Sequence, residues 1–241
     1  MTVMSERCWG VLPAAGVGRR MGADIPKQYL PLLGRPLLDH SLERILLHPR
    51  IDGVYVAVSA DDAWWPDSEF ADHPDVVRVS GGAERALSVL NALEALMARA
   101  APEDWVLVHD AARPCVRRAD IERLIDAVQG HPVGGLLGMP ARDTMKRTDT
   151  VGLITDTVDR RHLWHAFTPQ MFRLGDLHSA LQRALAAGVL VTDEASAVEW
   201  TGRQPLMVEG AADNLKVTRP EDLPLAAYHL QAQRDPASGA G

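Results

Sequence analysis

The chain has 241 residues, 46% of them hydrophobic, which is enough for the core of one large α/β domain or of two small ones. Its formal net charge of −7 at pH 7 argues against a general attraction to nucleic acids or to membranes, so we expect neither as a partner. Cys8 and Cys115 show no metal-ligand spacing, and no apolar segment near the amino terminus is long enough for a signal peptide or a membrane span. A cytoplasmic protein is therefore expected.

A glycine-rich turn follows the first predicted strand. Residues 8–12 form a short apolar run typical of a buried strand, and the sequence continues as L-P-A-A-G-V-G-R-R-M over residues 12–21. Gly16 and Gly18 allow positive φ angles, which let backbone N–H groups approach a bound anion. Three cationic side chains follow: Arg19, Arg20 and Lys27. This cluster suits a polyphosphate better than a single phosphate.

Two nucleotide-binding motifs resemble this turn, but neither fits it. A dinucleotide fingerprint needs a small residue where Met21 stands, a helix that Pro26 would interrupt, and an acidic residue about twenty positions further on at a strand end. The phosphate-loop pattern that ends in Gly-Lys-Ser/Thr is also absent from the sequence. An NAD-dependent oxidoreductase is thus the least favoured alternative, and a solvated basic turn without a ligand stays open.

Helical and strand patterns alternate along the rest of the chain. Apolar residues at helical spacing predict helices over 36–47, 84–98, 121–128, 175–187 and 220–230, and another that begins at Thr192 or Asp193. Continuous apolar runs predict buried strands over 54–58, 76–79, 105–108, 134–139 and 206–208. This alternation predicts an α/β fold with a single Rossmann-like domain over residues 1–230, in which helices flank a mainly parallel twisted sheet. We expect a disordered tail over 231–241.

The segment 142–160 lies outside this alternation. It is polar, rich in threonine and without a core-facing period, and a compact domain has no need of so long a connection. We interpret it as a protruding β-arm for dimerisation, which clasps a second copy of the chain in a homodimer.

Further candidate residues stand at the carboxyl ends of predicted strands. A second glycine turn, residues 81–82, opens a helix on which Arg85 and Ser88 lie one turn apart, so both can face the same ligand. Asp110 closes the next strand, at the position where open α/β sheets bind their ligands. We interpret its neighbour His109 as a hydrogen-bonded structural group.

Seven motifs follow one another along the chain: L-P-A-A-G-V-G-R-R-M with P-K-Q-Y (12–29), V-H-D-A-A-R-P (108–114), R-D-T-M-K-R (142–147), T-V-D-R (157–160), W-H-A-F-T-P-Q (164–170), T-D-E-A-S (192–196) and D-N-L-K-V-T-R-P-E-D (213–222). With these motifs the chain resembles, nearly from end to end, the 2-C-methyl-D-erythritol 4-phosphate cytidylyltransferases of the non-mevalonate isoprenoid pathway. The resemblance implies transfer of the cytidylyl group of CTP to the polyol phosphate. The substrate phosphate attacks the α-phosphorus directly, pyrophosphate leaves, and Mg²⁺ is required.

The resemblance also implies roles for individual residues. The catalytic set comprises Arg20, Lys27, Arg160 and Lys216. Nucleotide binding falls to Ala14, Ala15, Gly16, Gly18, Arg19, Gly82, Ser88 and Asp110. Binding of the acceptor substrate falls to Arg113, Thr144, Thr168 and Thr192. The metal ligand is Asp110, to which we add Asp213 as a candidate second carboxylate; a loop cap before Asn214 is the alternative for Asp213.

Two of these residues, Thr144 and Arg160, lie on the arm. The resemblance therefore implies that they reach the site of the other subunit, so that the dimer shares its active sites. The alternative for Arg160 is a surface ion pair with Asp159 or Asp156. The chain departs from the family pattern in two ways: Leu87 replaces a more usual polar residue, and the arm is slightly shorter than in some relatives.

Two other functions stay open at this point. A cytidylyltransferase for another polyol phosphate, such as ribitol 5-phosphate, would share the nucleotide half of the site. A CTP-binding regulatory protein would keep the nucleotide pocket without turnover. The motif over 164–170 favours the methylerythritol substrate, and the joint presence of the charged candidate residues favours turnover.

Overall fold

A computed structural model describes residues 6–16 and 25–234. Its strands are β1 (Cys8–Pro13), β2 (Pro31–Leu32), β3 (Arg35–Pro36), β4 (Gly53–Val58), β5 (Val76–Ser80), β6 (Trp105–Val108), β7 (Gly134–Pro140), β8 (Met145–Thr148), β9 (Ile154–Val158), β10 (Trp164–Arg173) and β11 (Leu206–Glu209). Its α-helices are α1 (Leu37–Leu46), α2 (Arg85–Met97), α3 (Arg118–Gln129), α4 (Leu174–Ala186), α5 (Glu194–Trp200) and α6 (Asp222–Arg234). Short 3₁₀ helices lie at Lys27–Tyr29 and Trp65–Asp67.

The main sheet is mostly parallel, as predicted. Within the described residues it has seven strands in the order β11-β7-β10-β6-β1-β4-β5. β1 pairs in parallel with β4 and β6, β4 with β5, and β7 with β11, whereas β10 runs antiparallel to β6 and β7. Because parallel strands end at a common edge, the turns after β1, β4 and β6 meet there.

Both faces of the sheet are buried, because successive residues of a strand point to opposite sides. Val54, Val56 and Val58 pack with α1 and α3 in one core. Tyr55 and Ala57 of the same strand pack with α2, α4 and α5 in another. The helices therefore flank the sheet on both sides, which confirms the predicted fold class.

The sequence pattern missed strand β10. Pro169 interrupts its apolar residues, and proline is normally excluded from central strands because it has no N–H to donate. In the structure the Thr168–Pro169 peptide is cis, and the register with β7 shifts between Ala166 and Gln170. The proline thus stands in an interruption of the ladder, where no donor is required.

The last helix is longer than predicted. Residues 231–234, expected in a disordered tail, belong to α6. Gln233 Nε2 donates to the Cys115 carbonyl oxygen at 2.9 Å and to Asp213 Oδ2 at 3.0 Å, which anchors this end of the helix. Residues 235–241 lie outside the described part of the chain. None of the described helices combines the length and apolar composition needed to cross a membrane.

The segment 142–160 contains a hairpin. β8 and β9 form a separate two-stranded antiparallel sheet, and most of their residues are exposed. The hairpin continues the β7–β10 pair, since Ala141 N donates to the Leu163 carbonyl oxygen at 2.9 Å. The homodimer that this arm suggests stays a prediction.

Candidate active site

A cavity of about 290 Å³ lies at the carboxyl ends of β1 and β6. It is lined by eight of the residues predicted to bind nucleotide or to act in catalysis: Ala14, Ala15, Gly16, Lys27, Gly82, Ser88, Asp110 and Lys216. Small side chains and backbone from three turns form much of its wall. Gln28 Nε2 donates to the Ala14 carbonyl oxygen at 2.6 Å and so joins the segment that carries Lys27 to the turn after β1.

A second cavity of about 170 Å³ is lined mostly by charged and polar side chains. Three of the four residues predicted to bind the acceptor line it: Arg113, Thr168 and Thr192. Three side chains line both cavities, and we call them the shared wall: Arg85, Asp110 and Lys216. The predicted nucleotide and acceptor residues therefore meet at one boundary.

Asp110 is the centre of the shared wall. Its carboxylate is nearly buried, and it lies 2.9 Å from Arg85 Nε, 2.8 Å from Lys216 Nζ and 3.6 Å from Arg113 Nε. Burial alone would raise the pKa of Asp110, but Arg85, Lys216 and Arg113 outweigh it and hold the pKa far below its ordinary value. Asp110 is therefore a permanent anion that orients three cations.

A buried carboxylate on α5 fixes Arg85 from its other side. Glu194 is fully buried, and its two oxygens accept from Arg85 Nη1 at 2.6 Å and Nη2 at 3.0 Å. Asp193 caps this helix, as predicted for Thr192 or Asp193, and so places Glu194 in its first turn. The sequence analysis missed Glu194, although an acidic residue within T-D-E-A-S, directly after a cap, was a usable signal.

The backbone around Asp110 is held by Thr168, which lies in the interrupted part of β10. The Asp110 N–H donates to Thr168 Oγ1 at 3.0 Å. His109 is fully buried, with Nδ1 3.1 Å from Thr168 Oγ1 and Nε2 2.9 Å from the Arg113 carbonyl oxygen. Burial lowers the pKa of His109 to about 4, so the imidazole is neutral near pH 7. These contacts agree with the interpretation of His109 as a structural group.

Two buried amides support the second cavity, and neither was assigned a role from the sequence. Asn214 Nδ2 donates to the Thr168 backbone carbonyl oxygen at 2.8 Å, and the backbone carbonyl oxygen of Asn214 accepts from Arg113 Nη1 at 2.7 Å. Gln170 Nε2 donates to Asp193 Oδ2 at 2.9 Å. Both residues lie within the motifs quoted above, so their position was visible but their partners were not.

The second glycine turn depends on close backbone approach. A β-carbon on Gly81 would lie 2.3 Å from the Ala15 β-carbon, so only glycine lets the two turns meet. Ser88 Oγ accepts from the Gly82 N–H at 3.0 Å and closes the turn. A β-carbon on Gly82 would lie 2.4 Å from that of Leu87, so Leu87, which departs from the family pattern, packs against the turn.

The first glycine turn is described only in part. Gly16 does not adopt the positive φ that glycine allows, and a β-carbon there would meet no atom of the described residues within 4 Å. Gly18, Arg19 and Arg20 lie outside the described residues, so their contacts with phosphates stay predictions.

The two predicted residues of the arm are not brought to either cavity of their own chain. Thr144 and Arg160 are exposed, and neither lines the cavities. The surface ion pair considered for Arg160 is formed by its neighbour, because Arg161 Nη2 lies 2.5 Å from Asp159 Oδ2.

Asp213, the second carboxylate considered for a metal ion, lines neither cavity. It accepts from Arg117 Nη2 at 2.7 Å and from Gln233 Nε2 at 3.0 Å, and its role as a metal ligand stays a prediction. Within the described residues, no group of three or more His, Cys, Asp or Glu side chains could hold a metal. A carboxylate offers about four lone pairs, so Asp110 can still supply one ligand to a cation held chiefly by phosphate oxygens.

Comparison with known proteins gives consistent results. The family model described as 2-C-methyl-D-erythritol 4-phosphate cytidylyltransferase matches residues 9–232. The enzyme of that name from Pseudomonas putida (strain W619) is 59% identical over 216 residues, 89% of this chain and 92% of its own length. The one from Vibrio vulnificus (strain CMCP6) is 55% identical over 225 residues, 93% of this chain and 95% of its own length.

Solved structures agree in fold over the same length. A crystal structure of 4-diphosphocytidyl-2C-methyl-D-erythritol synthase has a TM-score of 0.82 at 38% identity, covering 94% of this chain and 99% of that one. The Francisella tularensis cytidylyltransferase has a TM-score of 0.81 at 36% identity, covering 92% and 99%. Since the match in sequence and fold spans the segments that line both cavities, this chain belongs to the family of 2-C-methyl-D-erythritol 4-phosphate cytidylyltransferases.

Proposed function

We propose that the chain carries out the cytidylyl transfer of its family in this cleft, with CTP in the larger cavity and 2-C-methyl-D-erythritol 4-phosphate in the smaller one. The substrate phosphate is already ionised, so no general base is needed to make the nucleophile. It attacks the α-phosphorus of CTP, and the products are 4-diphosphocytidyl-2-C-methyl-D-erythritol and pyrophosphate. Catalysis then consists mainly of positioning and charge neutralisation.

The observation that carries this proposal is the shared wall between the cavities. Arg85, Asp110 and Lys216 line both cavities, and Lys216 Nζ is held 2.8 Å from Asp110 Oδ2. A cation fixed at this boundary can contact the attacking phosphate and the nucleotide together. Lys216 would therefore orient the acceptor at the point of reaction, with Arg113 and Thr168 beside it.

On the nucleotide side, Lys27 would neutralise negative charge as pyrophosphate leaves. We propose the same role for Arg20, and contacts with the β- and γ-phosphates for Gly16, Gly18 and Arg19. The cytosine ring would be read by Ala14, Ala15, Gly82 and Ser88, because backbone groups and one hydroxyl match its polar edge and a small pocket excludes purines.

Mg²⁺ is the divalent ion that we propose for the reaction. Asp110 would hold it together with oxygens of the triphosphate, and the ion would neutralise phosphate charge there.

The cytoplasmic location is likewise part of the proposal. Cys8 and Cys115 are buried and unpaired, as a reducing compartment permits.

The decisive assay follows pyrophosphate release with CTP, Mg²⁺ and a panel of acceptors. We expect release with methylerythritol phosphate and none with ribitol 5-phosphate, and none when another nucleoside triphosphate replaces CTP. Release with ribitol 5-phosphate alone would contradict the acceptor assignment. Tight CTP binding without release from any acceptor would contradict the enzymatic function.

We propose further that the arm completes the cleft of a partner subunit, because Thr144 and Arg160 are exposed and absent from both cavities of their own chain. The test mixes Arg160→Ala with Lys27→Ala after unfolding and refolding together. In a symmetric dimer with shared sites, random pairing restores about one quarter of the wild-type activity, because each mixed dimer has one intact site. Activity no higher than the average of the two variants would contradict sharing.

A further inference from the structure

We propose that a third cavity, separate from the cleft, binds a small phosphorylated anion of the size of inorganic pyrophosphate. Its volume is about 290 Å³, and it shares no lining residue with the two cavities of the cleft. It lies where α1, α3 and α6 come together, and each of these helices contributes one arginine: Arg44, Arg118 and Arg234. We call it the three-arginine cavity.

The charge of this cavity comes from its arginines. Glu43 also lines it, but its carboxylate is bound to Arg35 Nη1 at 3.1 Å. Burial lowers the pKa of the lining histidines His40 and His48, so both are uncharged near neutral pH. Arg118 is the first residue of α3, where free backbone N–H groups add to the attraction for anions.

Arg44 is the strongest indication of an anionic ligand. Its guanidinium is half-buried, and no carboxylate of the described residues lies within 4.0 Å of it. Its Nη2 donates instead to the neutral amide oxygen of Gln233 at 2.7 Å. Burial lowers the pKa of Arg44, in contrast to Arg85, whose pKa Glu194 and Asp110 raise against burial. A half-buried cation that lacks an anionic partner is costly, and a phosphoryl group that accepts from Arg44 would offset that cost.

The cavity, with a volume of about 290 Å³, can accommodate a small phosphorylated anion. Because the nucleotide cavity has a similar volume, the choice of ligand rests on charge and not on size. Three guanidinium groups from separate helices match the several oxygens of such an anion better than a single carboxylate.

The test is calorimetric titration of the full chain with inorganic pyrophosphate at constant ionic strength, in the presence of saturating α,β-methylene CTP. We expect one equivalent to bind outside the cleft. Arg44→Gln and Arg118→Gln should each weaken this binding about tenfold or more, the effect of losing a charge-assisted hydrogen bond. Arg99→Gln removes the same charge from an exposed site outside all three cavities and should leave binding unchanged.

Weaker pyrophosphate binding in Arg44→Gln and Arg118→Gln than in Arg99→Gln is expected whether or not the CTP analogue fills the cleft. The result is therefore independent of the proposed function. Arg118 is exposed, and its variant keeps the fold even if Arg44→Gln destabilises the chain. Binding that is equally strong in Arg118→Gln and Arg99→Gln would overturn the proposal. Sulfate that binds as tightly as pyrophosphate would overturn the assignment to a phosphoryl ligand.

Discussion

The two cavities of the cleft are built by different means. The nucleotide cavity is formed largely by backbone and small residues of three turns that approach closely, as at Gly81 and Ala15. The acceptor cavity is formed by charged and polar side chains that hold one another in place, as Glu194 holds Arg85. We infer that shape governs recognition on the first side and that a charge network governs it on the second, and each can be disturbed separately.

The largest expected effect is on the nucleotide side, where Lys27 lines the cavity. Lys27→Ala should lower kcat by roughly 10²–10³, by analogy with loss of a donor that stabilises transition-state charge. Lys27→Arg keeps the charge and should retain more activity. Steady-state kinetics decide the matter: a rise in the KM for CTP at unchanged kcat would mean that Lys27 serves binding alone.

The charge network of the acceptor side is tested most directly at Glu194. Glu194→Ala leaves Arg85 without its bidentate partner and should cost about 3 kcal/mol in the free energy of unfolding, as removal of one member of a buried ion pair does. Glu199→Ala, on the exposed side of the same helix, is the matched control and should change stability by less than about 0.5 kcal/mol. Equal denaturation midpoints for the two variants would contradict a stabilising role of the ion pair between Glu194 and Arg85.

The stability of the fold should also depend on pH, because the neighbour of Asp110, His109, is buried and uncharged. Its pKa is lowered by burial to about 4, whereas an unfolded histidine has a pKa of about 6.5. Between these values the unfolded chain binds the extra proton, so stability is lost as pH falls from about 6.5 to 4, by an amount on the order of 3 kcal/mol.

Denaturant unfolding across this pH range checks the prediction. His109→Gln should flatten the dependence of stability on pH, and His162→Gln, at an exposed position, should not. A slope that survives in His109→Gln would assign the effect to other groups.

The smallest effect concerns the shape of the nucleotide side. Gly81→Ala forces the turn away from Ala15 and should cost about 1–3 kcal/mol, the usual cost of an overpacked position. Gly16→Ala meets no atom of the described residues within 4 Å and should leave the melting temperature nearly unchanged. The KM for CTP should rise in Gly81→Ala, and a melting temperature equal to that of Gly16→Ala would show that the turns tolerate separation.

The pattern of apolar residues was sufficient to predict most helices and strands, because the strands of the main sheet are short and the sheet is buried on both faces. Val54 to Val58 is apolar throughout, and such runs indicate a strand without knowledge of its neighbours. β10 failed this test, since Pro169 lies within it and its ladder is interrupted there. A strand that contains a proline is possible only because of how it pairs with its neighbours, and this pairing cannot be detected from the sequence of the strand alone.

The features of the candidate site also divide into those that the sequence predicted and those that it did not. The sequence motifs placed Asp110 and Lys216 at the cleft, because they mark single residues at strand or loop ends. They did not find the pairing of Arg85 with Glu194, since these residues are 109 positions apart and meet only in the folded chain. The ion pair of Asp213 with Arg117 was not found for the same reason, because the two residues are 96 positions apart.

The base of the arm lets its length vary without cost to the body of the protein. Ala141 and Leu163 are joined by a hydrogen bond just beyond the last rung of β7 and β10, so the chain between them can be cut back to a two-residue reverse turn. A shortened protein of this kind should fold unaided. The proposed association between subunits is then separable from the scaffold that forms the two cavities.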